Sequence, residues 1–191
     1  MMRLLVIAVS AALVNNVVLS RFLGLCPFLG VSKSIKTAAG MGAAVIAVVT
    51  VSSAICSLLY DYLLVPLDLV YLNTIVFILI IAALVQFVEM VLKKKSHALY
   101  ESLGVYLPLI TTNCCVLGTA LTNVQDSYGL AESVVNGFGT SAGFAIAIIL
   151  MAGIREKTQY NNVPESFRGM PIVLLTAGLM SIAFFGFAGI M

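Results

Sequence analysis

Long runs of apolar residues, separated by short polar linkers, fill almost the whole chain. A run of about 17 residues or more is long enough to cross the hydrocarbon core of a bilayer as a helix. Six such runs are present: Leu4–Ser20, Ala38–Tyr60, Leu69–Leu92, Tyr100–Thr122, Ala131–Ile154 and Pro171–Ile190. The pattern therefore predicts an all-α integral membrane protein with six transmembrane helices in a single domain, residues 1–191.

The composition agrees with this pattern. Of the 191 residues, 61% are hydrophobic and only 9% are charged, whereas a soluble domain has about 25% charged residues. No stretch between the apolar runs is long enough to form a soluble domain. The composition therefore excludes a soluble enzyme, a nucleic-acid-binding protein and a disordered chain, and we expect membrane lipid to surround the protein.

The basic residues are concentrated on alternate linkers. Nine of the ten Lys and Arg residues follow the first, third and fifth runs: Arg21, Lys33, Lys36, Lys93, Lys94, Lys95, Arg155, Lys157 and Arg168. The positive-inside rule assigns these linkers to the cytoplasm, which leaves both termini extracytoplasmic. Arg3 is the single exception. The N-terminal run has too few charges before it for a typical cleavable signal peptide, so we expect it to be the first span.

The two halves of the chain resemble each other. Cys26-Pro27-Phe28-Leu29-Gly30 matches Cys114-Cys115-Val116-Leu117-Gly118, and Gly40-Met41-Gly42 matches Gly137-Phe138-Gly139. Because each half contains three spans, the second copy begins on the opposite side of the membrane. The sequence therefore predicts two inverted three-helix repeats, at about 1–95 and about 96–191.

Polar and helix-breaking residues interrupt the first span of each half. In the second half, Thr111-Thr112-Asn113-Cys114-Cys115 follows only half a span of apolar residues, and in the first half Asn15-Asn16 and the segment 24–30 take the same place. Backbone that is not helical at membrane depth is tolerated only where protein or a cavity satisfies it. We therefore expect helices 1 and 4 to be broken, each with a cysteine at the break.

Four cysteines are present, and the repeat distinguishes two of them. Cys26 aligns with Cys114, whereas Cys115 aligns with Pro27 and Cys56 lies in an ordinary apolar run. Two thiolates related by the repeat would form half of a four-thiolate site for iron–sulfur, zinc or iron. The alternative, that these cysteines are small apolar residues that only pack, stays open on the residues alone.

Several long strings are specific to a known family. The segments 23–33, 107–114, 153–156, 167–169 and 176–180 closely resemble the RnfA family of Rnf complexes, and less closely the related NqrE protein of the sodium-pumping NADH:quinone oxidoreductase. The resemblance implies a six-span protein of a prokaryotic cell (inner) membrane that pairs with a homologous protein, RnfE, of opposite topology. It further implies an iron–sulfur cluster, of the 2Fe-2S type, shared by the two proteins, with Cys26 and Cys114 as this chain's metal ligands.

The same resemblance implies a function within a larger assembly. Together with RnfB, RnfC, RnfD and RnfG, the complex would couple electron transfer between ferredoxin and NAD to translocation of Na⁺ or H⁺. This chain would be a translocase component that is not catalytic on its own. We expect no flavin or NAD on it, because no G-x-G-x-x-G follows a strand.

Two further questions stay open on the sequence. A small inverted-repeat secondary transporter would have the same architecture, although it would not account for the placement of Cys26 and Cys114. Intramembrane polar residues are candidates for an ion pathway, here Glu89, Asn113, Thr112 and Asn16. Glu89 could equally pair with Lys93 one turn later, and the others could equally cap the broken helices.

Overall fold

The computed structural model describes residues 2–66, 70–95 and 108–186, and these residues form helices and turns without any strand. The α-helices are α1 (Met2–Val9), α2 (Leu25–Val31), α3 (Ile35–Leu59), α4 (Asn73–Lys95), α5 (Pro108–Thr111), α6 (Cys114–Gln125), α7 (Leu130–Thr158) and α8 (Met170–Phe185). Turns of π-helix extend α1 over Ser10–Val14 and α3 over Tyr60–Leu64, and 3-10 turns occur at Val70–Leu72 and Glu165–Phe167. The prediction of an all-α protein is confirmed.

The long apolar helices agree with the predicted spans. Among the described residues, three helical stretches are long and apolar enough to cross a membrane: Ile35–Leu64, Val70–Val91 and Leu130–Thr158. Met2–Val14 and Met170–Phe185 are shorter apolar helices. Residues 100–107 of the predicted fourth span and residues 187–190 of the predicted sixth lie outside the described residues, so the count of six spans stays a prediction.

The first predicted span is not one continuous helix to Ser20. Helical structure ends at Val14, and an irregular segment of turns leads to Gly24, after which α2 begins. In the second half, a turn at residues 112–113 separates α5 from α6. Both predicted interruptions are therefore present, and the one in the first half is the longer.

Two long helices, α3 and α7, form the centre of the bundle. They make the most extensive contact between any two described helices. Small residues permit this approach, since a Cβ added to Gly42 would lie 3.0 Å from the Cβ of Ala145, and one added to Gly137 would lie 2.9 Å from the Cβ of Ser53. Helices in membranes associate mainly through such close packing of small residues.

The N-terminal helix packs against α7 through two more glycines. A Cβ added to Gly139 would lie 2.7 Å from the carbonyl oxygen of Ala8, and one added to Gly143 would lie 2.5 Å from that of Ala12. These glycines are four residues apart, the spacing of the GxxxG packing motif. The Nε atom of Arg3 also lies 3.2 Å from the Glu132 carboxylate. The first helix is therefore an integral part of the bundle.

The two ends of α7 define two ends of the bundle, here named the Glu132 end and the Arg155 end. At the Arg155 end, the Arg155 guanidinium donates to the Leu29 carbonyl and the Ser32 hydroxyl, both at 2.8 Å. The Ile35 amide there donates to the Glu156 carboxylate at 3.4 Å. The residues that flank Lys33 and Lys36 thus lie at the Arg155 end.

Arg21 lies at the other end, contrary to its predicted grouping with Lys33 and Lys36. Its guanidinium donates to the Thr122 hydroxyl at 2.8 Å, one turn before α6 ends. At that point α6 meets the start of α7, because Asn136 donates to the Asn123 side chain at 2.7 Å. The reason is that the chain turns back at the break in the first half. Which end faces the cytoplasm stays a prediction.

Candidate functional site

Two helices that carry cysteines begin beside each other at the breaks. Cys26 is the second residue of α2, and Cys114 is the first residue of α6. The backbone N–H of Gly24, which precedes α2, donates to the Cys114 sulfur at 2.9 Å. The structure therefore brings together the two segments that the sequence repeat had paired.

The four thiols differ sharply in exposure. Cys26 is exposed and Cys114 is half-buried, whereas Cys115 and Cys56 are fully enclosed at 0% and 1% exposure. All four are free thiols. Only Cys26 and Cys114 are therefore accessible to a group bound at the surface of the chain, and Cys115 is buried as Pro27 is in the first half.

Gly24 is required at the contact between the two breaks. Its φ of +84° lies in the left-handed region, which residues other than glycine rarely adopt. A Cβ here would lie 3.1 Å from the Phe144 ring, 3.2 Å from the Asn113 oxygen and 3.2 Å from the Cys115 Cβ. Both the conformation and the space therefore exclude a side chain, which keeps the Gly24 amide close to the Cys114 sulfur.

Asn113 forms the N-terminal cap of α6. It is 3% exposed, and its side-chain oxygen accepts from the Cys115 amide at 3.0 Å. Its side-chain nitrogen is buried without a hydrogen-bond partner among the described residues. The neighbouring Thr112 is exposed in the turn. The Asn113 oxygen therefore caps the start of α6.

The Asn16 side chain makes four hydrogen bonds at the break in the first half. It is 1% exposed, and its side-chain nitrogen donates to the Gly143 and Ala12 carbonyls at 2.9 and 3.2 Å. Its side-chain oxygen accepts from the Val18 and Leu19 amides at 3.1 and 3.3 Å. These bonds use both donors and both lone pairs of the amide. Asn16 therefore satisfies backbone N–H and C=O groups where the helix is interrupted.

Glu89 is not part of the break. It is half-buried on α4, six residues before that helix ends at Lys95. The helix that carries it packs against α5 and α6. The structure therefore brings together three of the predicted polar residues at the breaks, Asn16, Thr112 and Asn113, and places Glu89 on the neighbouring α4.

A polar cavity of about 250 Å³ adjoins the breaks at the Glu132 end. Its lining includes Leu23 and Gly118, which lie close to the cysteine-bearing segments. The polar lining residues are Ser10, Asn15, Arg21, Thr119, Thr122, Asp126, Tyr128, Asn136 and Thr140. Burial of the Tyr128 phenol raises its pKa, and the negative charges of Asp126 and Glu132 raise it further.

Sequence reasoning missed this cavity, although a signal was present. Thr119 and Thr122 are three residues apart, and Asn136 and Thr140 are four apart, so each pair occupies one helix face. Polar residues that share a face within apolar helices indicate a cavity or a protein contact. The pairing of the two faces across one cavity required the tertiary structure.

Thiolate sulfur is the usual ligand of iron–sulfur clusters, and Cys26 and Cys114 are the two accessible thiols among the described residues. The described residues contain no group of three or more Cys, His, Asp or Glu side chains arranged to hold a metal. The Gly24 amide bond to the Cys114 sulfur is of the kind that tunes iron–sulfur clusters. The Cys26 thiol is exposed at the surface of the chain.

Comparison with known proteins places these features in context. The profile of the family described as "Rnf-Nqr subunit, membrane protein" matches residues 4–191. The chain is 60% identical to the A-type component of the Na(+)-translocating ferredoxin:NAD(+) oxidoreductase complex of Acetobacterium woodii, over 98% of each chain. It is 56% identical to the A-type component of the ion-translocating oxidoreductase complex of Syntrophotalea carbinolica, over 100% of this chain and 98% of the relative. Over 97% of its length it is 54% identical to the protein of the same name from an Azoarcus species, of which 96% is covered.

Proposed function

Since this chain belongs to the Rnf-Nqr family of membrane proteins, we propose that it is the A-type component of an ion-translocating oxidoreductase complex that exchanges electrons between ferredoxin and NAD. The similarity to relatives of that name extends over nearly the whole chain. The name of the Acetobacterium woodii relative, which specifies ferredoxin and NAD(+), favours the ferredoxin-linked complex over the quinone-reducing one. In this role the chain is a translocase component that conducts electrons within the membrane and has no catalytic centre of its own.

We propose Cys26 and Cys114 as ligands of an iron–sulfur cluster of the 2Fe-2S type, which supplies one-electron transfer when bound. The observation that carries the proposal is the pairing of an exposed Cys26 with a half-buried Cys114 across one hydrogen-bonded break. Two more thiolates complete such a site. The homologous RnfE protein, of opposite topology, is the proposed source, and RnfB, RnfC, RnfD and RnfG complete the complex.

The residues around the thiols position them for this task. The Gly24 amide donates to the Cys114 sulfur at 2.9 Å, and hydrogen bonds to ligand sulfurs are one of the factors that set the reduction potential of iron–sulfur clusters. The Asn113 cap holds the start of α6, and therefore the Cys114 backbone, in one orientation. Cys115 is enclosed, so it contributes packing rather than a ligand.

The depth of the break suits an electron carrier. It lies between the Arg21–Thr122 bond at one end of the bundle and the Arg155–Ser32 bond at the other. A carrier at mid-depth divides a hydrocarbon core of about 30 Å into two transfers of about 15 Å each. We further propose the polar cavity at the Glu132 end as water access to this region for the translocated Na⁺ or H⁺.

Substitution of individual cysteines in the assembled complex tests the ligand assignment. Cys114→Ala and Cys26→Ala should each remove the cluster's iron and its electron paramagnetic resonance signal. The matched control is Cys115→Ala, which removes the adjacent thiol and should cost on the order of 1 kcal/mol of stability while the cluster is kept. Loss of the cluster in the Cys115 variant but not in the Cys114 variant would contradict the assignment.

Expression without the partner tests the sharing of the site. The isolated chain should bind no stoichiometric cluster, because its two ligands are half of the number needed. Co-expression with the homologous RnfE protein should restore the iron and the signal. A stable two-iron cluster on the isolated chain would refute the proposal that the site is shared.

A further inference from the structure

A second cavity, of about 260 Å³, lies at the Arg155 end, away from the cysteines. It is formed by the last turn of α7, the segment that follows it, and the first turns of α8. The lining residues are Arg155, Thr158, Gln159, Asn161, Val163, Arg168, Gly169, Ile172, Val173 and Thr176. Neither the proposed cluster site nor the polar cavity at the Glu132 end includes any of them.

The charge of this cavity favours an anion. Two guanidinium groups, Arg155 and Arg168, line it, and none of the lining residues is acidic. The Arg155 Nη1 atom is held by the Leu29 carbonyl and the Ser32 hydroxyl. A guanidinium has five N–H donors, so this anchoring leaves the donors on Nε and Nη2 for a ligand. The anchored Arg155 and the exposed Arg168 both line the cavity, and guanidinium groups suit phosphate oxygens because each presents planar, charged N–H donors.

The start of α8 adds to this preference. α8 is 16 residues long, its cap residue Gly169 offers no side chain, and its first turn contains no acidic residue. The backbone N–H groups of the first turn, except at Pro171, which has none, have no partner within the helix, and they attract negative charge. Gly169, Ile172 and Val173 place this helix start in the wall of the same cavity.

The surroundings identify the source of the phosphate as a lipid. Large apolar side chains along α8 are exposed: Met170, Leu174, Leu175, Leu179, Ile182 and Phe185. They lie along the length of this apolar helix, outside the lining of the cavity. An anionic ligand with acyl chains fits both features, whereas free phosphate fits only the first. Basic pockets between transmembrane helices are a recurring site for anionic lipid headgroups.

We propose that this cavity binds the phosphate headgroup of an anionic phospholipid, with the acyl chains lying along α8. Arg168 and the free donors of Arg155 contact the phosphate oxygens, and the amides of Gln159 and Asn161 contact the remainder of the headgroup. Pockets for drug-sized molecules have volumes of about 300 Å³ or more. The cavity is slightly smaller than this, a size that suits a headgroup. The site is on the end that the basic residues assign to the cytoplasm.

Lipid retention by the purified assembly tests this proposal independently of electron transfer. Native mass spectrometry after exchange into nanodiscs would compare phosphatidylglycerol with phosphatidylcholine, whose headgroup has no net charge. We expect the wild-type protein to retain phosphatidylglycerol selectively, and Arg168→Gln to weaken retention about tenfold, which corresponds to about 1.4 kcal/mol. Retention should also fall as the salt concentration rises.

The matched control is Lys157→Gln. This substitution also removes one positive charge near the end of α7, but Lys157 does not line the cavity. Equal losses in the Lys157 and Arg168 variants would overturn the site in favour of general surface attraction. Competition by millimolar inorganic phosphate without any lipid preference would overturn the lipid assignment. Equal retention of both lipids by the wild type, or no retained lipid because another protein of the complex covers α8, would also overturn it.

Discussion

The glycine contact between the first helix and α7 makes the most quantitative prediction of the structure. In the variant Gly143→Ala, the new Cβ would lie 2.5 Å from the Ala12 oxygen and 2.9 Å from the Ala12 Cα. Ordinary contacts of a Cβ begin at 3.4 Å, so the two backbones must separate by about 0.9 Å. Backbone atoms cannot yield as the end of a flexible side chain does, so the whole helix must move.

The expected loss of stability can be estimated from this displacement. Overpacking of this kind costs about 1–3 kcal/mol. Separation also stretches the Asn16 bond to the Gly143 carbonyl, now 2.9 Å, which is worth about 1 kcal/mol. Alanine recovers up to about 1 kcal/mol through its higher helix propensity. We therefore expect a net destabilisation of about 1–3 kcal/mol, or a fall in Tm of about 2–12 °C for a chain of this length.

The chain offers both a control and a reporter for this measurement. Gly153 is on the same helix, but a Cβ there would meet nothing within 4 Å, so Gly153→Ala should melt at the wild-type temperature or slightly above. Cys56 and Cys115 are enclosed, so once the accessible Cys26 and Cys114 have been blocked in the folded chain, reaction of the two enclosed thiols with a fluorogenic reagent reports unfolding of the full chain in detergent. A Gly143→Ala variant that melts no lower than Gly153→Ala would refute the packing of the first helix.

Three other predictions address the cap, the buried amide pair and the orientation. Asn113→Ala should lower stability by about 1 kcal/mol through loss of the helix cap, whereas Asn113→Ser should lose less; equal melting temperatures of the two variants would contradict the capping role. Asn123→Ala should cost about 1–3 kcal/mol because it leaves the Asn136 donor buried without its 2.7 Å partner, and adding Asn136→Ala should recover part of this loss in a double-mutant cycle; strictly additive losses would show that the pair does not interact. Reporter fusions should be extracytoplasmic at Met191 and cytoplasmic at Lys94, and the reverse pattern would overturn the orientation.

The sequence alone predicted the long apolar helices that the structure describes and the positions of the interruptions. An apolar run in a bilayer has to satisfy its backbone within itself, so hydropathy predicted helix over Ala38–Tyr60 and Ala131–Ile154, and the structure has helix over Ile35–Leu64 and Leu130–Thr158. The interruptions were also local properties, because Asn and Gly residues disfavour helix interiors and satisfy turns. Resemblance of whole strings identified the family, and the comparisons confirmed it.

Local properties could not decide where the chain goes after a break. Arg21 follows an apolar run and was grouped with Lys33, yet it reaches Thr122, which is 101 residues away. The repeat paired Cys26 with Cys114, but only packing showed that Cys114 is accessible while its neighbour Cys115 is enclosed. Adjacent helical residues point about 100° apart, and which of them faces inward depends on the helices packed around them.

The cavities depended on tertiary structure in the same way. Arg155 and Arg168 are ordinary loop charges in the sequence, and only the approach of the α7 terminus to the start of α8 places both in one cavity. Likewise, only the tertiary structure shows that Gly139 and Gly143 of the GxxxG motif pack against the Ala8 and Ala12 carbonyls. Hydropathy describes how each segment interacts with lipid, whereas sites arise from contacts between segments that are distant in the chain.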